Sequence, residues 1–296
     1  MTTKAETAGI ELSDSDRVAV IAGSGRLPED VAAGLAEAGR VPLIVMIAGE
    51  AREDGPLAAY PHEVLALERV GHLFGMLRRH GVTHAVMAGG VSRRPDWRAV
   101  RLTPALLGLM PSLIRALMKG DDHLLRALVA AIEKRGVKVI GAHDIVPDLL
   151  TAVGPLTKRI PSQQDRSDME AAWIAAQALG ALDVGQAAVA IGGRAVALED
   201  IEGTDRLLER VASFRGHGRL ARKTGGVLVK CAKPGQELRA DLPTIGPLTI
   251  EAVHRAGLAG IGLEAGRSLI LDRNAVVAAA ERLGVFVYGL DGGQGR

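Results

Sequence analysis

Along the first half of the chain, short aliphatic runs alternate with longer amphipathic stretches. Runs rich in β-branched and aliphatic residues at 17–22, 42–47, 62–66, 84–88 and 137–140 read as strands. The stretches 28–38, 69–80 and 121–135 read as helices. The first of these has Pro28 in its opening turn, then Glu29 and Asp30, then Val31 and Leu35 on one face, and it stops at Gly39. Proline's fixed φ suits a first helical turn, and acids there oppose the positive end of the helix dipole. The other two helices close on Gly81 and Gly136. Such alternation predicts βαβ units around a parallel sheet.

The second half is patterned as a mixture. A helix is expected over 163–179, a hairpin over 187–191 and 195–198 turned by Gly192-Gly193, and a helix over 204–214. Strands follow at 226–230, 258–263 and 268–271, then a helix at 273–283 and a strand at 285–288. Between the halves, 151–162 carries Gly154, Pro155, Lys158, Arg159 and Pro161, the composition of a linker. The expected fold is α/β: a polar, flexible arm over 1–16, a Rossmann-like parallel-sheet domain over 17–150, the linker at 151–162 and a mixed α/β domain over 163–296.

Composition narrows the function. At roughly 100–200 residues per domain, 296 residues make room for two domains. Hydrophobic residues at 48% and charged residues at 24% exclude a disordered or collagen-like chain. Aromatics at 2% force an aliphatic core and leave few faces on which bases could stack, and a net charge of +2 supplies no general basic field. Nucleic acid is therefore not an expected partner. The single Cys231 excludes an internal disulfide and a cysteine zinc site, and points to a reducing, cytoplasmic compartment. The histidines show no His-x-x-x-His pair on a helix and no His-x-His pair on a strand. The polar start does not read as a secretory signal, and the apolar stretches 41–49 and 102–114 are shorter than the ~20 residues a spanning helix needs.

Several segments carry chemistry. Ile21-Ala22-Gly23-Ser24-Gly25-Arg26-Leu27-Pro28 runs from a strand through a glycine turn into a helix, an arrangement that lets amides approach phosphate oxygens. Gly23, Ser24, Gly25 and Leu27 are the candidate anion contacts; a tight turn without a ligand is the structural alternative. A dinucleotide fingerprint would want glycine where Pro28 stands, and an acid at the end of the second strand, where Glu50 comes late. Gly89-Gly90 and Gly141-Ala142-His143-Asp144 also follow strands, so a parallel sheet would bring them to the same carboxyl edge. His143 and Asp144 can bind a ligand or close their loop, and Asp122 can serve a substrate or the start of a helix. Residues 199–205 hold Glu199, Asp200, Glu202 and Asp205, oxygen donors of the kind Mg²⁺ prefers or plain solvated and capping charges. The stretch 225–247 joins a glycine-led strand to Lys230 and Lys233, a Pro-Gly turn with Gln236, and Asp241 beside Thr244 in a stiff Asp-Leu-Pro-Thr-Ile-Gly-Pro run. A rigid loop of this kind can hold a base or a metal ligand in fixed geometry. Cys231 reads as a packed strand residue.

Taken in order, IAGSGRLP, MAGGVSRRP, GAHDIVPDLL, LGALDVGQAAVAIGG, IEGTDRLLER, GVLVKCAKPGQELRADLPTIGP and AGLAGIGLEAG resemble the LpxI-type UDP-2,3-diacylglucosamine pyrophosphatases of lipid A biosynthesis. The resemblance implies Mg²⁺-dependent hydrolysis of UDP-2,3-diacylglucosamine to UMP and 2,3-diacylglucosamine 1-phosphate, with other divalent cations as substitutes. It implies a ligand held between two domains, and a cytoplasmic protein in peripheral contact with the inner face of a Gram-negative inner membrane. A homodimer is compatible with it. Asp241 is then the catalytic residue and, with Glu202 and Asp205, a metal candidate. The substrate candidates are Gly23, Ser24, Gly25, Leu27, Gly89, Gly90, Asp122, His143, Asp144, Lys230, Lys233, Gln236 and Thr244. The family commonly has aspartate where this chain has Glu237. Residues 102–118 offer an apolar surface for acyl chains or a buried helix pair. Two other readings stand beside this one: a nicotinamide-dependent oxidoreductase using the Gly23–Gly25 turn, and a sugar-nucleotide or lipid-binding module without turnover.

Overall fold

A computed structural model describes residues 10–93, 121–216 and 224–292. Two compact units divide the chain: Met1–Pro147 with Glu237–Asp241, and Asp148–Gln236 with Leu242–Arg296. The stretch 102–118 lies outside the described residues.

In the first unit, β1 (Val18–Ala22), β2 (Leu43–Ile47), β3 (His62–Leu65), β4 (His84–Ala88) and β5 (Lys138–Ile140) form one sheet in the order β3-β2-β1-β4-β5. Every pairing is parallel. Helices α1 (Leu27–Glu37), α2 (Leu73–Arg79) and α3 (Asp121–Glu133) connect the strands. The period-2 alternation of the strands sorts the core: Val18, Val20, Ala22, Ile44 and Met46 pack with Val31, Ala32 and Leu35 of α1. Ala19, Ile21, Leu43 and Val45 pack on the opposite face with Leu73 and Leu77 of α2 and Val129 and Ile132 of α3. Strands covered on both faces need apolar residues at every position, which is why β1 and β2 read as continuous aliphatic runs. The stretch expected as one helix over 69–80 is a 3₁₀ turn, Leu67–His72, followed by α2, with Arg69 outside helical geometry at φ −112°. Gly71 and Gly75 lower helix propensity there. At the other end, Ile10 and Leu12 pack against the α1 side of the core.

Strand order reverses between β1 and β4, since β2 and β3 are laid down on one side of β1 and β4 and β5 on the other. In open α/β sheets that reversal opens a crevice outside the carboxyl ends of the two central strands.

The second unit is built on six strands, β6 (Gly154–Pro155), β7 (Ala187–Ala190), β8 (Ala195–Leu198), β9 (Val227–Lys230), β11 (Gly260–Glu264) and β13 (Phe286–Leu290). They form one sheet in the order β6-β13-β11-β9-β7-β8. The three central strands are parallel, and β6, β7 and β8 are antiparallel to their neighbours. A separate parallel pair joins β10 (Thr244–Ile245) to β12 (Leu269–Ile270). Helix α5 (Gln163–Ala181), which follows the one-turn α4 (Ala142–Ile145) of the first unit, covers one sheet face with Met169, Ala172 and Ala176. Helices α6 (Gly203–Phe214), α7 (Pro247–Arg255) and α8 (Arg273–Leu283) cover the other. With so few aromatics, the largest fully buried side chain among the described residues is Phe286; its ring lies against Gly260, where a Cβ would stand 2.4 Å from it. Ser162 starts α5 by accepting the Asp165 amide, and the Asp165 carboxylate accepts the Ser162 amide in return. The α/β class expected from the pattern is the class observed. Four of the named elements were not anticipated: α4, β6 inside the stretch read as a linker, β10 inside the stretch read as a stiff loop, and α7.

Candidate functional site at the carboxyl edge of the parallel sheet

At the carboxyl ends of β1 and β4, the two glycine turns are clamped to each other. Ser24 donates its amide to the Gly90 carbonyl (2.7 Å) and Gly90 returns the bond to Ser24 (3.0 Å), while the Gly23 amide goes to Ala88 (2.8 Å). The Ser24 hydroxyl adds a fourth bond, to Gly90 O at 3.0 Å. This approach requires glycine: a Cβ on Gly23 would lie 2.3 Å from Gly90 O, and one on Gly89, at φ 87°, would lie 2.4 Å from Ser24 O. Beyond the clamp, Gly25 and Arg26 are exposed and half-buried Leu27 is the first residue of α1. Glu50 is engaged as well. Its Oε1 accepts the amides of Ser92 (2.9 Å) and Arg93 (2.7 Å), and the Ser92 hydroxyl reaches both carboxylate oxygens at 3.1 Å. A carboxylate holding the loop after β4 is not presented to a ribose, so the nicotinamide reading lacks its acid as well as its third glycine.

After β5, Asp144 accepts the Gly141 amide at 2.8 Å, the loop-closing role. The His143 ring lies over Gly141, with Nε2 3.8 Å from Asp144 Oδ1 and a buried Nδ1 that has no partner among the described residues.

Asp122 is buried at 7% exposure near the start of α3, and both of its oxygens are occupied. Oδ2 pairs with Arg126 one turn on, and Oδ1 accepts the Glu237 amide at 2.9 Å. The segment 237–241 is part of the first unit and is tied down along its length. Arg239 grips Glu237 with two bonds, Nε to Oε1 at 2.8 Å and Nη2 to Oε2 at 2.9 Å, and its Nη1 reaches Glu133 at 2.7 Å. The guanidinium beside Glu237 holds that carboxyl below the usual carboxylate range, and the paired carboxylates raise the Arg239 pKa in turn. Ala240 packs on the α3 side of the core. The amides of Ala240 and Asp241 both turn back to the Glu237 carbonyl at 3.0 Å, and Asp241 is exposed.

In the second unit, buried Lys230 extends its ammonium to the Thr244 carbonyl (3.3 Å), and the Thr244 hydroxyl donates to Leu242 (2.8 Å). Gln236 accepts the Lys233 amide, and Lys233 Nζ pairs with Asp183, each at 2.8 Å. Lys233 thereby anchors its loop to the end of α5. Cys231 is buried, and burial pushes its thiol up to about 12, the state of an inert packed residue. In the acidic run, Glu199 is buried and accepts from the Gln186 amide at 2.7 Å and from the Thr204 hydroxyl. Asp200 accepts the Glu202 amide (2.9 Å) and Arg210 (2.6 Å), and its pKa is lowered, by the amide first and the arginine second. Glu202 lies 3.6 Å from Arg210, and Asp205 is exposed in the first turn of α6. Among the described residues no three His, Cys, Asp or Glu side chains gather as a metal cage. Mg²⁺ does not require one, since it is commonly held by one or two carboxylates together with substrate phosphates and water. Asp241 is an exposed carboxylate on its turn, and Glu199 and Asp200 are held within their own run.

Residues 17–149 match the LpxI N-terminal domain and residues 152–288 match the LpxI C-terminal domain. The chain belongs to the LpxI family. The curated UDP-2,3-diacylglucosamine pyrophosphatase LpxI of Caulobacter vibrioides is 42% identical over 277 residues, spanning 93% of this chain and 98% of that protein. A solved structure, CobK precorrin-6A reductase, aligns over 93% of this chain and 88% of its own at 13% identity with a TM-score of 0.28, a likeness too low to carry an argument. The family resemblance read from the motifs therefore holds. Among the described residues of this LpxI chain no helix is long and apolar enough to cross a membrane.

Sequence reasoning missed two features of the LpxI chain. One is Glu264, buried at 3%, which accepts the Ala232 amide (2.8 Å) and Arg267 (2.9 Å) and so fixes the loop after β9. Its signal was an acid ending an otherwise apolar strand, Gly-Ile-Gly-Leu-Glu. The other is the Glu237–Arg239–Glu133 chain, which no local pattern marks.

Proposed function

We propose that this LpxI-family chain hydrolyses the pyrophosphate bond of UDP-2,3-diacylglucosamine, giving UMP and 2,3-diacylglucosamine 1-phosphate. The carrying observation is the 42% identity to a pyrophosphatase of that name over nearly the full length of both chains. The first unit carries groups of the kind the chemistry needs. Hydrolysis needs a water in line with phosphorus and fixed positive or donor groups for the developing oxyanions. Gly25 and Leu27 sit at the N-terminus of α1, where the helix dipole favours a phosphoryl oxygen. Asp241, exposed on an anchored turn, is the carboxylate assigned to orient the water or accept its proton. Bound Mg²⁺ would lower the pKa of a coordinated water and neutralise phosphate charge, and Asp241 is the side chain assigned to hold it. Glu202 and Asp205 are left out of that assignment, since a cation at Glu202 would compete with Arg210. Acyl chains on the substrate bring the reaction to a membrane surface, reached from outside the bilayer.

The test is UMP release from UDP-2,3-diacylglucosamine by the purified full chain with Mg²⁺. Turnover that stops in excess EDTA and returns with added Mg²⁺ is the expected result. Failure to release UMP under those conditions overturns the activity. Release that continues unchanged in EDTA leaves the activity standing and removes the metal.

A further inference from the structure

We propose that Arg239 is the positioning residue for Asp241, an inference that rests on the catalytic assignment above. Asp241 is joined to the first unit through a five-residue segment whose own backbone bonds are two amides turning back to one carbonyl, that of Glu237. A turn this short fixes the local shape of 237–241 but not its placement. Ala240 packs on the α3 side of the core, and two polar attachments hold the start and middle of the segment. The Glu237 amide is held by buried Asp122, whose other oxygen is neutralised by Arg126. The Arg239 guanidinium binds both oxygens of Glu237 and extends to Glu133 at the end of α3.

The second attachment also finishes an open edge. Among the described residues β5 is an outermost strand of the parallel sheet, so its outward amides and carbonyls meet no described strand. At Val139 the Glu133 carboxylate lies 3.5 Å from the amide, and Arg239 Nη1 lies 3.4 Å from the carbonyl. One guanidinium thus links the sheet edge, the end of α3 and the turn that carries Asp241. Its planar fork is what allows this, because lysine has a single nitrogen and cannot grip Glu237 through both oxygens while reaching Glu133. Glu237 keeps the fork supplied with two acceptors, and its lowered pKa keeps it charged at neutral pH. Asp241 is then presented in one geometry rather than sampled from several, which is the condition for a carboxylate to orient a water in line with phosphorus.

The test is a double-mutant cycle on the full chain, read as kcat and KM for UDP-2,3-diacylglucosamine with Mg²⁺. Arg239→Ala should lower kcat about 10–100-fold, the usual loss for a residue supporting a reacting group, with KM changed less than about threefold. Arg239→Lys should recover little, since charge without the fork does not rebuild the bidentate grip. In an Asp241→Asn background, Arg239→Ala should cost almost nothing further, because a residue that acts through Asp241 has nothing left to position. The two ideas fail separately. Near-parent kcat in Asp241→Asn overturns the catalytic assignment. A large loss in Asp241→Asn with full kcat in Arg239→Ala, or with losses that simply multiply in the double variant, overturns the positioning role. Should Arg239→Ala not fold, Glu133→Gln and Arg239→Lys decide the question: parent-like kcat in both overturns it, and a fall in kcat at constant KM supports it.

Discussion

The acidic run 199–205 and the segment 237–241 both look, by composition, like places for catalytic carboxylates, and the fold treats them in opposite ways. The first is dense in acids, and its partners are close in sequence: Glu199 meets residues 13 and 5 positions away, and Asp200 meets residues 2 and 10 away. The second has two acids; its Glu237 carboxylate meets Arg239 two positions away, but the Glu237 amide and the Arg239 side chain run ties of 115, 106 and 100 positions, to Asp122, Glu133 and Val139. Short-range partners cost little loop-closure entropy, so a carboxylate that can cap a turn or meet a nearby arginine does so. Long-range ties form only when the whole unit has assembled. Their geometry is therefore set by the tertiary structure, which is what a reacting group needs. A count of acids along the chain measures capping demand as readily as it measures chemistry.

The largest effect that could break this contrast is in Asp241→Asn, a nearly isosteric change that removes the charge needed to bind a metal or accept a proton. An isolated general base contributes about 10²–10⁴-fold, and kcat should fall by that order. Substrate affinity should hold, and the variant keeps the Asp241 amide that closes the turn on Glu237, so the fold should persist. If affinity falls as far as turnover, Asp241 acts in ground-state binding of metal and substrate, and the proton-transfer role is dropped.

A second, intermediate effect tests the glycine clamp. Gly89→Ala puts a Cβ 2.4 Å from Ser24 O at φ 87°, whereas Gly25→Ala at φ 88° meets nothing within 4 Å. Both carry the left-handed backbone cost of about 1–2 kcal/mol, and Gly89→Ala adds a collision with backbone that cannot rotate away. Thermal unfolding should show a clearly greater loss for Gly89→Ala. Equal losses would mean that the two turns are not held against each other as tightly as the bonds between Ser24 and Gly90 indicate.

The same contrast between local and distant partners separates what is legible in the amino-acid pattern from what is not. Strands β1, β2 and β4 are legible because both of their faces are covered, so nearly every residue is apolar. That the Gly23 and Gly89 turns share one edge follows from parallel order; their direct contact follows from the pairing of β1 with β4, which the pattern does not give. Helix α7 escapes notice although Pro247 stands in its first turn and Ile250 and Val253 lie on its buried side, because the preceding Pro-Thr-Ile-Gly-Pro run reads as a continuing loop. Asp122 reads as a helix-start acid or a substrate contact, and what it holds is the Glu237 amide, 115 positions along the chain. The Arg239 fork is illegible for the same reason: Glu237 and Arg239 lie two apart in a loop, a spacing with no preferred geometry, and Glu133 is on another element.

The smallest expected effect sharpens the contrast from the other side. Glu202→Gln combined with Asp205→Asn removes the two exposed carboxylates of the acidic run. Glu202 contributes a partly exposed contact to Arg210 at 3.6 Å, and Arg210 keeps its shorter pair with Asp200 at 2.6 Å. Solvent screens such pairs, so stability should change by no more than about 0.5–1 kcal/mol, with the loss of Asp205 from the first turn of α6 as the larger part. Turnover and the Mg²⁺ concentration giving half-maximal rate should stay within about twofold of the parent, the scatter expected when a surface charge leaves without touching the chemistry. A rise of tenfold or more in that Mg²⁺ concentration, at an unchanged melting temperature, would return the run to the metal site. The two segments would then share the work, and the rule that locally satisfied carboxylates are withdrawn from chemistry would fail in this chain.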